Sequence, residues 1–269
     1  APGVSQDSIL GLLTQAQGYV KSCTYEAQAI SHSKNIARRY FFPTEGRFVF
    51  VNIPGGQLVA YEDGSPVLEM QIKVGKKTNQ TPSMNSTIDQ VRINPTWTAP
   101  WSIVTENNWL DKLATDPDFF TENDIHPYST SGDKLSIQAA AANPKLVARF
   151  IQAPGPLNAL GEFRFDINSS ESIYLHDTRD PQNFYDGSPL TLSHGCVRLE
   201  QPEAFASWLL NDDITNIKSK IPATKTVDLR IDSPVPILME YFPAWPDNNG
   251  DIVIFDDIYS RLKNCEETT

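Results

Sequence analysis

The sequence predicts an α+β fold that is mostly β: a β-sandwich-like body with a helical N-terminal flank and one long insert. Three observations carry that expectation. Helical periodicity is confined to the first forty or so residues and to a segment after Pro202. From residue 47 onward, short runs rich in Val, Ile, Phe and Tyr alternate with clusters of Gly, Pro, Asn and Asp. Between about 95 and 150 neither period holds, and the stretch is dense in Trp, Phe and Pro instead. With 269 residues, 40% of them apolar, the chain can bury a sizeable core, and it divides into a flank, 1–42, and a main domain, 43–269.

Taken in order, residues 7–40 read as two helices. Ile9, Leu10, Leu12, Leu13 and Val20 fall mainly on one stripe, with Asp7 or Ser8 as the cap. Ala27, Ile30, Ile36, Ala37 and Tyr40 continue in a second, weaker stripe, so this flank is expected to pack on the body. Strands follow at 47–53, 57–61 and 67–74, separated by Pro54-Gly55-Gly56 and Asp63-Gly64-Ser65-Pro66. Phe48 and Phe50 alternate with Val49 and Val51, so both faces are apolar, as in a strand covered on both sides. Gly75-Lys76-Lys77-Thr78 has a superficial look of a phosphate loop but lacks the Walker spacing, and reads as an exposed loop. Residues 88–94 form a further strand.

The insert, about 95–150, reads as largely irregular. A loop of that length in a compact domain is a lid or binding segment, or is packed down by a satellite apolar cluster. Trp97, Trp101, Trp109, Phe119 and Phe120 suit either role, and His126 reads as a surface residue. Beyond it, residues 163–167 and 173–176 are strands, the second ending on His176. Pro202 opens a helix whose Phe205, Trp208 and Leu209 share an inner face. Strands at 227–231, 235–241 and 252–255 and a short helical stretch, 258–263, close the chain.

Composition narrows the function. A net charge of −11 with no basic block argues against nucleic acid as a partner and gives no pull toward anionic lipid. No run of 18 apolar residues exists to span a membrane as a helix. The chain begins Ala1-Pro2-Gly3, without Met or an apolar leader, as a mature secreted product or a trimmed piece of a longer chain would. Three cysteines leave one unpaired if two are joined. The sequence leaves the oligomeric state open.

The chemistry concentrates in Ser193-His194-Gly195-Cys196-Val197-Arg198, with sixteen residues separating His176 from Ser193. A thiol attacks a carbonyl as its thiolate, and an adjacent imidazole can take the proton and return it to a leaving amine. Cys196 is therefore the candidate nucleophile, with His176 or His194 as its base. Gly195 allows close backbone approach, and consecutive main-chain N–H groups around it suit an oxyanion. Two other readings compete. A cysteine is often a small buried hydrophobe, although a polar turn is a poor place for one. Alternatively, His176, His194 and Cys196 are three potential zinc ligands, without a fourth at metal-site spacing.

A histidine followed by Ser-His-Gly-Cys resembles the signature of the L,D-transpeptidases (YkuD type), the cysteine enzymes of peptidoglycan cross-linking. In much of that family Asn stands two positions after the Cys; here it is Arg198, and Cys-Val-Arg is similar to the large Gram-negative type. Phe50-Val51-Asn52-Ile53-Pro54, Asn94-Pro95-Thr96-Trp97, Ala153-Pro154-Gly155-Pro156-Leu157-Asn158, Tyr174-Leu175-His176-Asp177 and Asp256-Asp257-Ile258-Tyr259 agree with it, so the resemblance runs from about residue 34 to 262.

The resemblance implies an acyltransferase that needs no cofactor, in the periplasm or secreted to the cell envelope, whose thiol also opens carbapenems. Cys196 would be acylated by a peptidoglycan tetrapeptide stem with loss of D-alanine, and an amine would then make a 3→3 cross-link. Water, a free D-amino acid or a lipoprotein lysine are alternative acceptors, also for a secreted anti-bacterial effector; a non-catalytic wall-binding protein is the remaining alternative. It implies His176 as base, and Tyr174, Arg198, Ser193 and Asn158 as substrate-binding residues. It also implies a substrate-capping role for the insert. A peptidoglycan-binding module that can accompany such domains does not fit in the flank. In an oxidising envelope Cys23 and Cys265 are the candidate disulfide, leaving Cys196 reduced.

Overall fold

The computed structural model of the chain describes residues 5–171 and 173–262. It opens with helices α1 (Gln6–Gln17) and α2 (Tyr25–Ala37). Each starts on a hydroxyl cap: Ser5 accepts from the Ser8 N–H and Thr24 from the Ala27 N–H. Ile9, Leu13, Ile30 and Ile36 from the expected stripes are buried. They share one apolar layer with Phe48, Phe50, Tyr61, Phe242 and Trp245, so the flank is fused to the body's outer face. Cys23 lies in the turn between the helices at φ +63°, and its expected partner, Cys265, falls outside the described residues.

Strands β1 (Arg47–Asn52), β2 (Gln57–Glu62) and β3 (Ser65–Gly75) form an antiparallel meander, and β4 (Met84–Ile93) leads into the insert. The insert is not irregular. It holds β5 (Trp97–Thr98), α3 (Trp101–Glu106), α4 (Trp109–Thr115), α5 (Asp118–Glu122), β6 (Ile125–Tyr128), α6 (Ile137–Ala142) and β7 (Arg149–Gln152), with the three strands paired in the order β5-β7-β6. These helices span one or two turns, too short to show a period in the sequence. Their cohesion comes from a private core in which Phe120 stacks on Phe150 at 5.4 Å and Trp109 meets Phe150 edge-on at 5.3 Å. Most of the insert's aromatics thus hold the insert together.

The chain returns through β8 (Phe163–Ile167), β9 (Tyr174–His176), β10 (Thr191–Ser193), β11 (Val197–Leu199), α7 (Pro202–Leu210), α8 (Ile214–Lys218), β12 (Val227–Glu240) and the hairpin of β13 (Ala244–Pro246) and β14 (Ile252–Ile254). The nine-stranded sheet runs β10-β3-β11-β9-β8-β4-β12-β1-β2, and β3 also pairs with β2. The ladder therefore closes on itself, barrel-like, within the mixed α+β, mostly β architecture that was expected. The cause is the length of β3: its first part pairs with β2 and its Ile72 and Lys73 with β11. Val51, Ile72, Phe165, Leu175, Val197 and Ile237 fill the interior, with Phe205 and Leu209 of α7 against them. β12 is one strand rather than two, with a register irregularity between Arg230 and Val235 where Pro234 lacks an N–H. No helix among the described residues is long and apolar enough to cross a membrane.

Candidate active site

Two adjacent parallel strands build the site. β9 and β11 pair with Leu175 opposite Val197 and His176 opposite Arg198. Side chains alternate along a strand, and Leu175, Val197 and Leu199 are buried in the core. Tyr174 and His176 must then share the other face with Cys196 and Arg198. These four side chains line one cavity of about 430 Å³, roofed by Trp97, Trp101 and Arg149 of the insert.

The motif spans the end of β10, the turn after it and the start of β11. Its turn is fixed from within and from below. The Ser193 hydroxyl accepts the Gly195 N–H at 3.1 Å and donates to the Cys196 carbonyl. Gly195 sits at φ +118°, a region closed to other residues, and its carbonyl accepts the Thr81 hydroxyl at 2.8 Å. Thr81 is in turn held by Tyr259, whose hydroxyl accepts the Thr81 N–H at 3.1 Å and donates to the Gly75 carbonyl at 2.7 Å. Lys76 donates its N–H to the Ser193 carbonyl at 2.9 Å. The lysine-rich 75–78 loop is thus a clasp on the motif, beyond the plain exposed loop that its sequence suggests.

Three expectations are corrected here. The Gly195 N–H is taken by Ser193, so it is not an oxyanion donor, and Gly195 serves by its conformation. Ser193 spends its hydroxyl inside the turn, so it shapes the motif rather than gripping substrate. Asn158 is also corrected. It is fully buried, donates to the Pro95 and Ala153 carbonyls at 2.9 and 2.8 Å, and accepts the Leu160 N–H at 2.9 Å. With all those groups engaged, it pins the insert's base, and only its neighbours Ala159 and Leu160 reach the cavity.

His176 is buried, and its Nδ1–H donates to the Asp177 main-chain carbonyl at 2.5 Å. That bond selects the tautomer whose Nε2 accepts a proton. The Asp177 carboxylate faces elsewhere, accepting the Glu162 and Thr178 N–H groups at 2.7 and 2.6 Å. The orienting partner of the ring is therefore a carbonyl. Loss of solvent around the ring, and then the nearby charge of Arg198, lower the His176 pKa to about 4. Burial likewise pushes the Cys196 thiol up, opposed by a Tyr174 main-chain hydrogen bond and by the charges of Arg164 and Arg198.

His194 lines the same cavity, and its ring is held by the insert. Its Nε2 meets Glu106 Oε2 at 2.6 Å, and Lys76 Nζ lies 3.6 Å from the other oxygen. The hydrogen bond from His194 holds the Glu106 carboxyl below the ordinary range. Glu106 ends α3, so this contact latches the insert to the motif. His194 is thereby tied to the insert, while His176 shares its strand face with Cys196. Among the described residues no three His, Cys, Asp or Glu side chains converge as a metal site would require. His126 pairs with Asp124 at 2.8 Å outside the cavity.

Arg198 is mostly buried, and its Nε has no hydrogen-bond partner among the described residues. The Tyr174 ring is capped by the Arg164 guanidinium at 4.5 Å, itself held by Asp166 at 2.6 and 2.9 Å. Reading the sequence missed Glu106 and Arg149. Both stand in an insert without period or motif, and nothing local marks them.

The family model for the L,D-transpeptidase catalytic domain, YkuD, matches residues 46–237. A Haemophilus influenzae protein, provisionally named an L,D-transpeptidase, is 35% identical over 231 residues, which are 84% of this chain and 46% of that protein. The chain thus spans about half the length of the curated relative it matches. Among solved structures, the catalytic domain of the Enterococcus faecium L,D-transpeptidase acylated by ertapenem is 14% identical and overlaps 74% of this chain and 100% of that one, with a TM-score of 0.35. An L,D-transpeptidase from Mycobacterium smegmatis is 13% identical over 72% of this chain and 58% of that one, with a TM-score of 0.33.

Proposed function

This chain belongs to the L,D-transpeptidase catalytic-domain family, and from that premise we propose that it transfers a peptidoglycan stem through a thioester on Cys196. One observation carries the reading. Adjacent parallel strands bring Cys196 and His176 to one cavity, with the imidazole fixed through Nδ1 so that Nε2 is the basic atom.

The donor is a tetrapeptide stem. As Cys196 Sγ bonds to the carbonyl carbon of its third residue, His176 Nε2 takes the thiol proton. Negative charge gathers on the carbonyl oxygen, where the main chain of His194 and Cys196 supplies N–H donors; one such donor is typically worth about 3–4 kcal/mol. The C–N bond to D-alanine then breaks as His176 returns the proton to the departing nitrogen. An amine of a second stem attacks the thioester, its proton passes to His176, and the thiol is restored as the 3→3 cross-link forms. Arg198, mostly buried with an unpaired Nε, suits a stem carboxylate by a bidentate pair. The chemistry belongs to the cell envelope, where this polymer lies.

Mass spectrometry of muropeptides after incubation with purified disaccharide-tetrapeptide tests the reading. The expected products are D-alanine, an acylated Cys196 and a cross-linked dimer; hydrolysed or exchanged stems would assign water or a D-amino acid as acceptor. A carbapenem should add its mass once, and Cys196→Ala should abolish both adduct and turnover. An adduct that survives in that variant, or turnover lost to a chelator, overturns the mechanism.

A further inference from the structure

A closed ring of hydrogen bonds lies under the glycine turn of the motif. The Gly75 N–H donates to Thr81 Oγ1 at 2.9 Å, the Thr81 N–H to the Tyr259 hydroxyl at 3.1 Å, and that hydroxyl to the Gly75 carbonyl at 2.7 Å. A main-chain N–H only donates and a carbonyl only accepts, so every direction in the ring is fixed. One hydrogen is left over, on Thr81 Oγ1, and its acceptor is the Gly195 carbonyl at 2.8 Å. The ring depends on close approach of the main chain. A Cβ on Gly75 would stand 2.0 Å from the Asn79 carbonyl oxygen and 3.0 Å from Gly195 Cα.

The Gly195 carbonyl and the Cys196 N–H belong to one peptide unit. That unit is planar and trans, so its carbonyl and its N–H point to opposite sides. Gly195, at φ +118°, has no side chain to hold the plane, and a peptide next to glycine turns more freely than most. The Thr81 hydroxyl therefore sets its orientation. Thr81 is fully buried and stands outside the cavity lining, whereas Cys196 lines the cavity. Drawing the carbonyl to the buried side turns the Cys196 N–H the other way, toward the cavity.

We propose that Thr81 is a positioning residue for acyl transfer: by pinning the Gly195–Cys196 peptide plane, its hydroxyl aims the Cys196 N–H at the oxygen of the carbonyl under attack. This rests on the reading of Cys196 as the nucleophile that takes an acyl group. Thr81 touches no substrate, and it acts in the transition state, where charge gathers on that oxygen.

Two reagents separate this role from a structural one. With p-nitrophenyl acetate, Sγ bonds to the carbonyl carbon, the π pair moves to the oxygen and His176 takes the thiol proton. The pair then returns as p-nitrophenolate leaves, and the thioester remains. Iodoacetamide alkylates the same thiol by displacing iodide, and no oxyanion forms. In Thr81→Val, acylation of Cys196 should slow by about tenfold to a hundredfold, up to the scale of a lost oxyanion donor, while alkylation stays within about twofold of wild type. Thr81→Ser keeps the hydroxyl and should recover most of the acylation rate. Tyr259→Phe loosens the ring from its other side and keeps an aromatic ring in the core, so it should slow acylation several-fold with the same selectivity. It carries the test if Thr81→Val does not fold. Acylation unchanged in the folded variants, acylation and alkylation falling together, a serine variant as slow as the valine one, or a wild type that p-nitrophenyl acetate does not acylate at Cys196 would overturn the inference. A wild type acylated in this Thr81-dependent way that releases no D-alanine from muropeptides would sink the transpeptidase reading and leave this one standing. Cross-linking at full rate in Thr81→Val would do the reverse.

Discussion

Protonation of His176 should switch the site off at an unusually low pH. The ring is buried beside Arg198 and its pKa falls to about 4 from 6.5, while burial pushes the Cys196 thiol the other way. Burial thus favours the neutral form of both groups, which works against a preformed thiolate–imidazolium pair. Thiol and imidazole are then both neutral at rest, and the proton moves as the Sγ–carbon bond forms. The rate constant for acylation by a carbapenem, followed by stopped flow, should be level from about pH 5.5 to 8 and fall on the acid side with a midpoint near 4. Stability should move in step. The unfolded histidine takes up its proton first, so this residue's contribution is complete above about pH 6.5 and is lost as pH falls through the folded value, about 3 kcal/mol in all. Urea unfolding between about pH 7 and 4.5 measures it. His32 is also lowered by burial, so the comparison is between wild type and His176→Ala, whose difference isolates the one ring. The variant should acylate slowly at neutral pH and recover partly at high pH as the thiol ionises unaided. An acid limb centred between about 6 and 7, or a stability slope unchanged by the variant, would refute the neutral-pair account.

Three further outcomes are expected. Glu106→Gln should release the insert from His194 and raise the donor KM about two- to fivefold with Tm unchanged, and high salt should mimic it on the wild type; an unaltered KM would show that the latch is idle. Asn158→Ala should cost about 2–3 kcal/mol in urea unfolding through its lost buried hydrogen bonds while the folded protein keeps its donor KM; the opposite pattern would restore Asn158 as a substrate contact. Gly161→Ala should be worse than its size suggests. The glycine has φ +65°, and an added Cβ would lie 2.4 Å from the Asp177 carboxyl group, so the segment whose carbonyl orients His176 must shift. Unfolding should show a loss of about 2–4 kcal/mol and acylation should slow in the folded protein; normal acylation would mean that the Asp177 carbonyl is not what aims the ring.

Some of this protein is written locally. The helical stripes around Ile9 and Ile30, the β runs from residue 47, and the chemistry of Cys196 with a histidine are legible because apolar period and reactive residue type are properties of adjacent residues. The choice of base was not, since His176 and His194 are alike as sequence. Pairing of β9 with β11 puts His176 on the strand face of Cys196, and the insert's Glu106 engages His194. Ser193, Gly195 and Asn158 sit among the motifs, yet their polar groups turn inward to the turn and to the base of the insert, because a buried donor or acceptor must find a partner wherever the chain supplies one. The insert itself hid its order, since its helices are too short to carry a period and its strands find their partners only through its own core of Trp109, Phe120 and Phe150. Closure of the sheet and the roof over the cavity arise from contacts between residues far apart in sequence, and such contacts exist only once the chain has folded.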